Sequence, residues 1–348
     1  MATMKQVAER AGVSVSSVSH VLNDTRFVSA EARARIESAM LELRYVPSAV
    51  ARSLKHNVTR TLGIMSPNNT NPYFAEVIRS IEDCCFAADY NVVLCNSDDD
   101  PYKQSVYLRV LMEKRVDGLI VISSGDSDDL PTLLSHLAVP LVLVDREWES
   151  GDCDIVASDH QLGGFLATRH LLDLGHRNIA CISGPQHLSP SRQRAAGWRQ
   201  ALARVSDASG ELMLGDFTSQ GGHDAMCRLL ATPKRPSAIF ACNDLMAIGA
   251  LCAVHEYGLR VPQDLSLIGL DDIELSAFMC PPLTTVAQPK QRIGELAVEL
   301  LFERLSQQRT EPRQIVLQPS LCLRASTAPY SSPTPEFEPQ NEISQNFG

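Results

Sequence analysis

A chain of 348 residues with 44% hydrophobic side chains can hold two or three packed domains and is too apolar for a disordered or fibrous protein. No apolar run approaches the roughly 18 residues a membrane span needs, and no charged-then-apolar leader opens the sequence, so the protein is expected in the cytoplasm, associated with the nucleoid and with no membrane partner. The net charge of −10 is uneven: residues 1–60 carry nine Lys/Arg against five acids, which leaves −14 on the remainder, and a basic end on an acidic body can meet phosphates at that end only.

In the opening stretch MKQVAERAGVSVSSVSHVLNDTR, Met4, Val7, Ala8 and Ala11 recur at the spacing of one helix face. Gly12 permits a tight turn with positive φ, and Ser14 can cap a second helix whose Val18, Val21 and Leu22 face inward. Its outward face carries Val15, Ser16, Ser17, His20 and Asn23. Such a helix-turn-helix presents small hydrogen-bonding side chains to base edges in a DNA major groove. Ser14, Ser17 and Ser19 suit phosphates. Val15, Ser16 and His20 suit bases, and Asn23, Arg26 and Arg52 either role. Ser29 begins a third helix with Ile36, Ala39, Met40 and Leu43 inward, stopped before Pro47. Residues 1–46 thus form an all-α headpiece. Within 47–60, Ser48 to Lys55 tolerates a helix too short to be stable alone.

From Thr61 the pattern becomes βαβ. Apolar runs predict strands near 61–66, 92–95, 117–123, 140–144, 179–183, 211–215, 237–242 and 265–270, with helices between them, which implies parallel sheets covered on both faces. A break near Gly151–Ser158 divides residues 61–326 into two doubly wound α/β subdomains. The Pro/Ser-rich tail, 327–348, is expected to be disordered. The ten scattered cysteines contain no C-x-x-C pair and read as buried free thiols, with neither disulfide framework nor metal site. His160, His170 and His176 read as surface residues rather than a metal cluster.

Ligands of doubly wound sheets lie beyond the carboxyl ends of the strands. The residues at and just past those ends include Asn71, Tyr73 and Phe74, then Asp145 and Arg146, Arg192 and Arg194, Phe217, Asn243, Asp271, and Gln288 beside a crossing between subdomains. Carboxylate, amide and guanidinium groups can each grip two adjacent hydroxyls, and aromatic faces cover the C–H side of a sugar ring. No phosphate-cradling loop, nucleophile elbow or H-E-x-x-H occurs. The chain therefore reads as neither an enzyme nor a cofactor protein, and the helix-turn-helix argues against a plain sugar-binding protein.

The opening stretch, FVSAEARARI, LRYVPSAVARSLK and the βα region to about residue 326 resemble the LacI/GalR (lac repressor) family of transcription regulators. That resemblance implies a headpiece on a periplasmic-binding-protein-like body whose chain crosses between subdomains near Asp159, Gln288 and Gln318. It implies that paired hinge helices enter the minor groove, with Leu54 wedged into a central base step and Lys55 on the neighbouring backbone. The ligand positions are similar, one by one, to the pattern of ribose-binding proteins, with Arg194 the better of the two arginines for direct contact. The ribose-responsive members match best; the purine-responsive ones, in which the ligand acts as corepressor, are the alternative. The expected partners are a palindromic operator, a second copy of the chain and ribose as a releasing effector.

Overall fold

The computed structural model describes residues 2–46, 58–122, 134, 137, 139–145 and 153–331. Arg52, Leu54 and Lys55 of the expected hinge lie outside the described residues, as does Arg146. The described chain forms two compact units that divide at Thr59.

In the first unit, α1 (Met4–Ala11), α2 (Val15–Asn23) and α3 (Ala30–Glu42) follow their side-chain signals closely. Thr3 and Gln6 make a reciprocal cap on α1, Gly12 turns the chain at φ +66°, and the Ser14 and Ser29 hydroxyls cap α2 and α3. Each cap satisfies an amide that the helix start leaves without a partner. Val7, Ala8, Ala11, Val18, Val21, Ile36 and Ala39 are buried together, with Met4, Leu22, Met40 and Leu43 packed against them. So small a core tolerates little loss of volume.

In the second unit, two six-stranded sheets are present among the described residues, in the orders β11-β5-β4-β3-β1-β2 and β12-β10-β9-β8-β6-β7. The first lobe comprises β1 (Thr61–Ser66), β2 (Asn91–Asn96), β3 (Gly118–Ile122), β4 (Leu141–Val144), β5 (Asp154–Ser158) and β11 (Gln314–Leu317). Its helices are α4 (Pro72–Ala87), α5 (Pro101–Glu113) and α10 (Lys290–Leu305). The second lobe comprises β6 (Ile179–Ser183), β7 (Leu212–Leu214), β8 (Ala238–Ala241), β9 (Ser266–Asp271), β10 (Thr284–Ala287) and β12 (Ser320–Cys322). Its helices are α6 (His160–Asp173), α7 (Ser189–Leu202), α8 (Ser219–Leu230) and α9 (Asp244–Glu256). The described pairings are parallel except that of β10 with β12. The chain passes between lobes at Asp159, Gln288 and Gln318, between β5 and α6, β10 and α10, and β11 and β12.

The central strands β1, β3 and β4 are buried almost throughout, as strands covered on both faces must be. Several expectations need correction. The stretch read as a break contains β5, a strand of the first sheet that pairs with β4 and β11. It was missed because five residues with only three apolar side chains carry a weak signal. The last three strands, also missed, are shorter still. The tail is ordered further than its composition implies. Thr284 Oγ1 contacts Thr327 Oγ1 at 3.3 Å, Ala328 O lies 3.1 Å from His176 Nε2, and Tyr330 N donates to Leu174 O at 2.8 Å. Consequently His176 is buried, not on the surface. Among the cysteines, Cys252 and Cys280 are exposed, while Cys85, Cys95, Cys153, Cys181 and Cys242 are buried.

Candidate functional site

The outward face of α2 leaves Ser14, Val15 and Ser16 exposed and Ser17, Ser19, His20 and Asn23 half-buried, while Arg26 lies in an exposed turn beyond it. Ser14 Oγ lies 2.7 Å from Ser16 Oγ and 2.9 Å from Ser17 Oγ. His20 Nδ1 lies 2.9 Å from Thr25 Oγ1, which fixes the ring, and Asn23 Nδ2 donates to Ser19 O at 2.8 Å. The helix thereby presents one methyl surface, several hydroxyls and an oriented imidazole, a set able to read base edges and hold phosphates.

The second site is a cavity of about 290 Å³ between the lobes, lined by Asn71, Tyr73, Phe74, Asp145, Arg194, Phe217, Asn243 and Asp271 among others. They meet because each stands at a strand's carboxyl end or beyond it, in the loop or in the first two turns of the helix that follows. Asn71 caps α4 through Tyr73 N, with Pro72 at its first position. Asn243 caps α9 through Met246 N. Asp145, Phe217 and Asp271 follow or end β4, β7 and β9 with φ of +53°, +67° and +124°. Non-glycine residues rarely hold such values and do so only where their surroundings fix them, often at ligand sites.

The polar groups form one network. The Tyr73 hydroxyl donates to Asp145 Oδ2, and Ser158 N donates to Asp145 Oδ1 at 2.9 Å. Arg194 Nη1 donates to Cys242 O at 2.6 Å and lies 3.5 Å from Asp271 Oδ1. Its guanidinium also sits 5.7 Å from the centre of the Phe217 ring. Asn243 Nδ2 donates to Phe217 O at 3.0 Å. Burial pushes the Asp145 carboxyl up, but the His160 ring, the Tyr73 hydroxyl and the Ser158 amide outweigh it and hold the group below its ordinary range. Asp271 goes the other way. Burial, opposed by Arg194 and reinforced by the Asp244 charge, raises it to about 7. Burial and the adjacent Asp145 push the Tyr73 hydroxyl well up, so it remains a donor.

Two expected contacts are placed elsewhere. Arg192 is exposed, and its Nη1 donates to Gln186 O and His187 O at 3.1 and 2.7 Å. Gln288 is buried behind the wall, where Nε2 donates to Asp271 Oδ1 at 2.7 Å; it orients an acceptor rather than lining the cavity. Sequence reasoning missed Asn68, Asp99, His187, Asp216 and Thr218, which also line it, because turn residues carry no periodic signal. It also misplaced His160, which is 4% exposed and sits against Asp145 and Arg194.

A helix-turn-helix unit and a two-lobed body with an interlobe cavity together define a ligand-responsive DNA-binding regulator. Residues 3–48 match the family profile described as bacterial regulatory proteins, lacI family, and residues 168–327 match a periplasmic binding protein-like domain. The chain is 45% identical over 329 residues to the ribose operon repressor of Escherichia coli, across 94% of this chain and all of that one. It is 45% identical over 332 residues to the transcriptional repressor PurR of Erwinia tasmaniensis, across 94% and 97% of the two chains. Among solved structures, the lac repressor dimer bound to operator and an anti-inducer superposes with a TM-score of 0.85 at 31% identity, over 94% of this chain and 99% of that one. A ribose-bound regulator from Enterococcus faecium gives 0.71 at 32% identity, over 78% and 100%. The chain belongs to the LacI family. It is a sequence-specific DNA-binding transcriptional repressor and not an enzyme. No helix among the described residues is long and apolar enough to cross a membrane.

Proposed function

We propose that this repressor controls a ribose-utilisation operon and leaves its palindromic operator when ribose fills the interlobe cavity. The observation that carries the reading is the cavity wall, where Asp145, Asn243, Arg194 and Asp271 offer acceptors and donors around Tyr73, Phe74 and Phe217. Neighbouring hydroxyls on a small neutral ring suit such pairs. Ribose also leaves the buried Arg194–Asp271 pair balanced. A purine corepressor would use the same aromatic faces, but Asp145 and Asn243 suit hydroxyls better than ring nitrogens. Ribose 5-phosphate fits worse, since Asp99, Asp145, Asp216 and Asp271 outnumber Arg194 among the described lining residues.

The repressor works in the cytoplasm as a homodimer, because one helix-turn-helix reads too few base pairs and a palindrome demands two-fold symmetry. Residues 1–46 form the headpiece, 47–60 the hinge, 61–326 the effector and dimerisation body, and 327–348 the tail, of which Thr327, Ala328 and Tyr330 bond to the body. Leu54 of each subunit wedges a central, easily unstacked step, with Arg52 and Lys55 beside it and Arg146 near the sugar. Ribose bridges the lobes and shifts them, so the hinges no longer pair. Effector and operator therefore oppose each other reciprocally, by about 5- to 150-fold at typical coupling energies.

Calorimetry with ribose, ribose 5-phosphate, hypoxanthine and guanine, each with and without operator, tests this. Ribose is expected to bind at least about tenfold more tightly than its phosphate, and more weakly when operator is present. Equal ribose affinity in both conditions overturns the release mechanism. Tighter binding of a purine with operator present replaces ribose by a corepressor. At the headpiece, Val15→Ala and His20→Ala are expected to cost about 1–3 kcal/mol on the preferred half-site and much less on scrambled DNA. Anisotropy titrations on both duplexes measure the difference.

A further inference from the structure

We infer that His160 is the positioning residue that sets Asp145 of one lobe against Arg194 of the other, an inference that rests on the ribose reading above. His160 is the first residue of α6, directly after the chain crosses from β5 into the second lobe. Its ring is buried and stands behind the cavity, not in its wall. Nε2 lies 3.3 Å from Asp145 Oδ1, close to it but out of line for a hydrogen bond. On the opposite side, Arg194 Nε and Nη2 lie 3.4 and 3.3 Å from Nδ1.

The chemistry of these neighbours fixes the ring. A guanidinium has only donors, so the nitrogen facing it must be the acceptor, and the proton must sit on Nε2, toward the carboxylate. A proton on Nδ1 would turn two donors toward each other in a site with no water-like screening. The ring is thus a spacer with its acceptor edge on the guanidinium and its other edge packed against the carboxylate, spanning lobes that must be held in register to grip one sugar. The flanking charges already favour this arrangement, since Asp145 is also held by Tyr73 and Ser158, and Arg194 by Cys242 O and Asp271. Removing the ring leaves each sugar-gripping group on its remaining partners but no longer spaced against the other. Preorganisation of this kind governs affinity without adding a contact to the ligand.

The test compares the natural chain with His160→Ala and His160→Gln. Glutamine offers an acceptor and a donor on one terminal group and can serve both neighbours. His160→Ala is expected to bind ribose about tenfold or more weakly, while operator affinity without ribose stays within about threefold. His160→Gln is expected to recover most of the loss, which a role in packing alone would not produce. Nitrogen-15 NMR of the natural chain is expected to report a His160 ring whose Nδ1, facing the guanidinium, carries no proton. An alanine variant that binds ribose like the natural chain, a glutamine variant no better than alanine, or a ring protonated at Nδ1 overturns the inference. Should the alanine variant fail to fold, the glutamine variant and the tautomer decide. A natural chain that binds operator but no ribose sinks the sugar reading itself, a result distinct from matched affinities.

Discussion

Arg194→Leu is expected to destabilise the body by about 3–5 kcal/mol at neutral pH, with a deficit that shrinks as the solution is acidified. The residue is 5% exposed and answers Asp271, Cys242 O, His160 and the Phe217 ring at once. Leucine fills much of the volume but leaves the Asp271 carboxylate buried without its cation. The sign of the pH effect is set by Asp271. Its folded pKa, about 7, already lies above the ordinary value because of burial, and Arg194 is the chief influence holding it down. Removing Arg194 raises it further. A carboxyl whose pKa rises on folding is stable as the neutral acid, so the folded state loses stability as pH climbs from the unfolded value, roughly 4, through the folded one. The variant is therefore weakest near pH 8 and closest to the natural chain near pH 5. Denaturant melts at both values measure this, and an equal deficit at each would show that Asp271 is not the group left stranded. Ribose affinity should fall by about a hundredfold or more at either pH, since a buried charged donor is lost from the cavity wall.

Much of this site was legible because capping and binding fall on the same residues. Asn71 and Asn243 cap the helices that follow strong apolar runs, and Asp271 ends such a run, so the strand pattern points to all three. The two arginines of α7 were harder. Arg192 and Arg194 differ by two positions, about 200° around a helix. Only the phase set by Ala195, Trp198 and Ala201 on the buried face separates a cavity residue from one that closes back on the Gln186 and His187 carbonyls. His160 was unreadable for a different reason. It opens a helix of mixed character, and the partners that bury it, Asp145 and Arg194, lie 15 and 34 positions away on other elements. Gln288 was found at the right crossing but for an indirect task, because sequence shows that a residue lies near a cleft and not which neighbour it orients. The missed strands failed on length: runs of three to five residues, buried in β5 and β10 and half-exposed in β11 and β12, are too brief to separate from turns by pattern.

Gly164→Ala is expected to be more harmful than its conservative chemistry suggests, and to act on the sugar through the backbone. In an ordinary helix interior, alanine for glycine gains up to about 1 kcal/mol. Here α6 and α7 touch backbone to backbone. A Cβ on Gly164 would stand 2.0 Å from Arg194 O, and one on Gly197 would stand 2.0 Å from Gln161 O. Neither obstacle is a side chain that could rotate away, so the helices must separate along the seam that carries His160 and Arg194. Overpacking of this kind costs roughly 1–3 kcal/mol, reversing the propensity gain. The separation also lengthens the contacts between Arg194 and both His160 Nδ1 and Cys242 O, so ribose affinity should fall about tenfold or more. Gly163→Ala supplies the control one residue away. Its Cβ would meet the Leu270 side-chain tip at 3.0 Å, a group able to shift, so the same helix gains the same methyl with a small change in melting and little change in affinity. Equal ribose affinity in the two variants would mean that the α6–α7 contact does not set the position of Arg194.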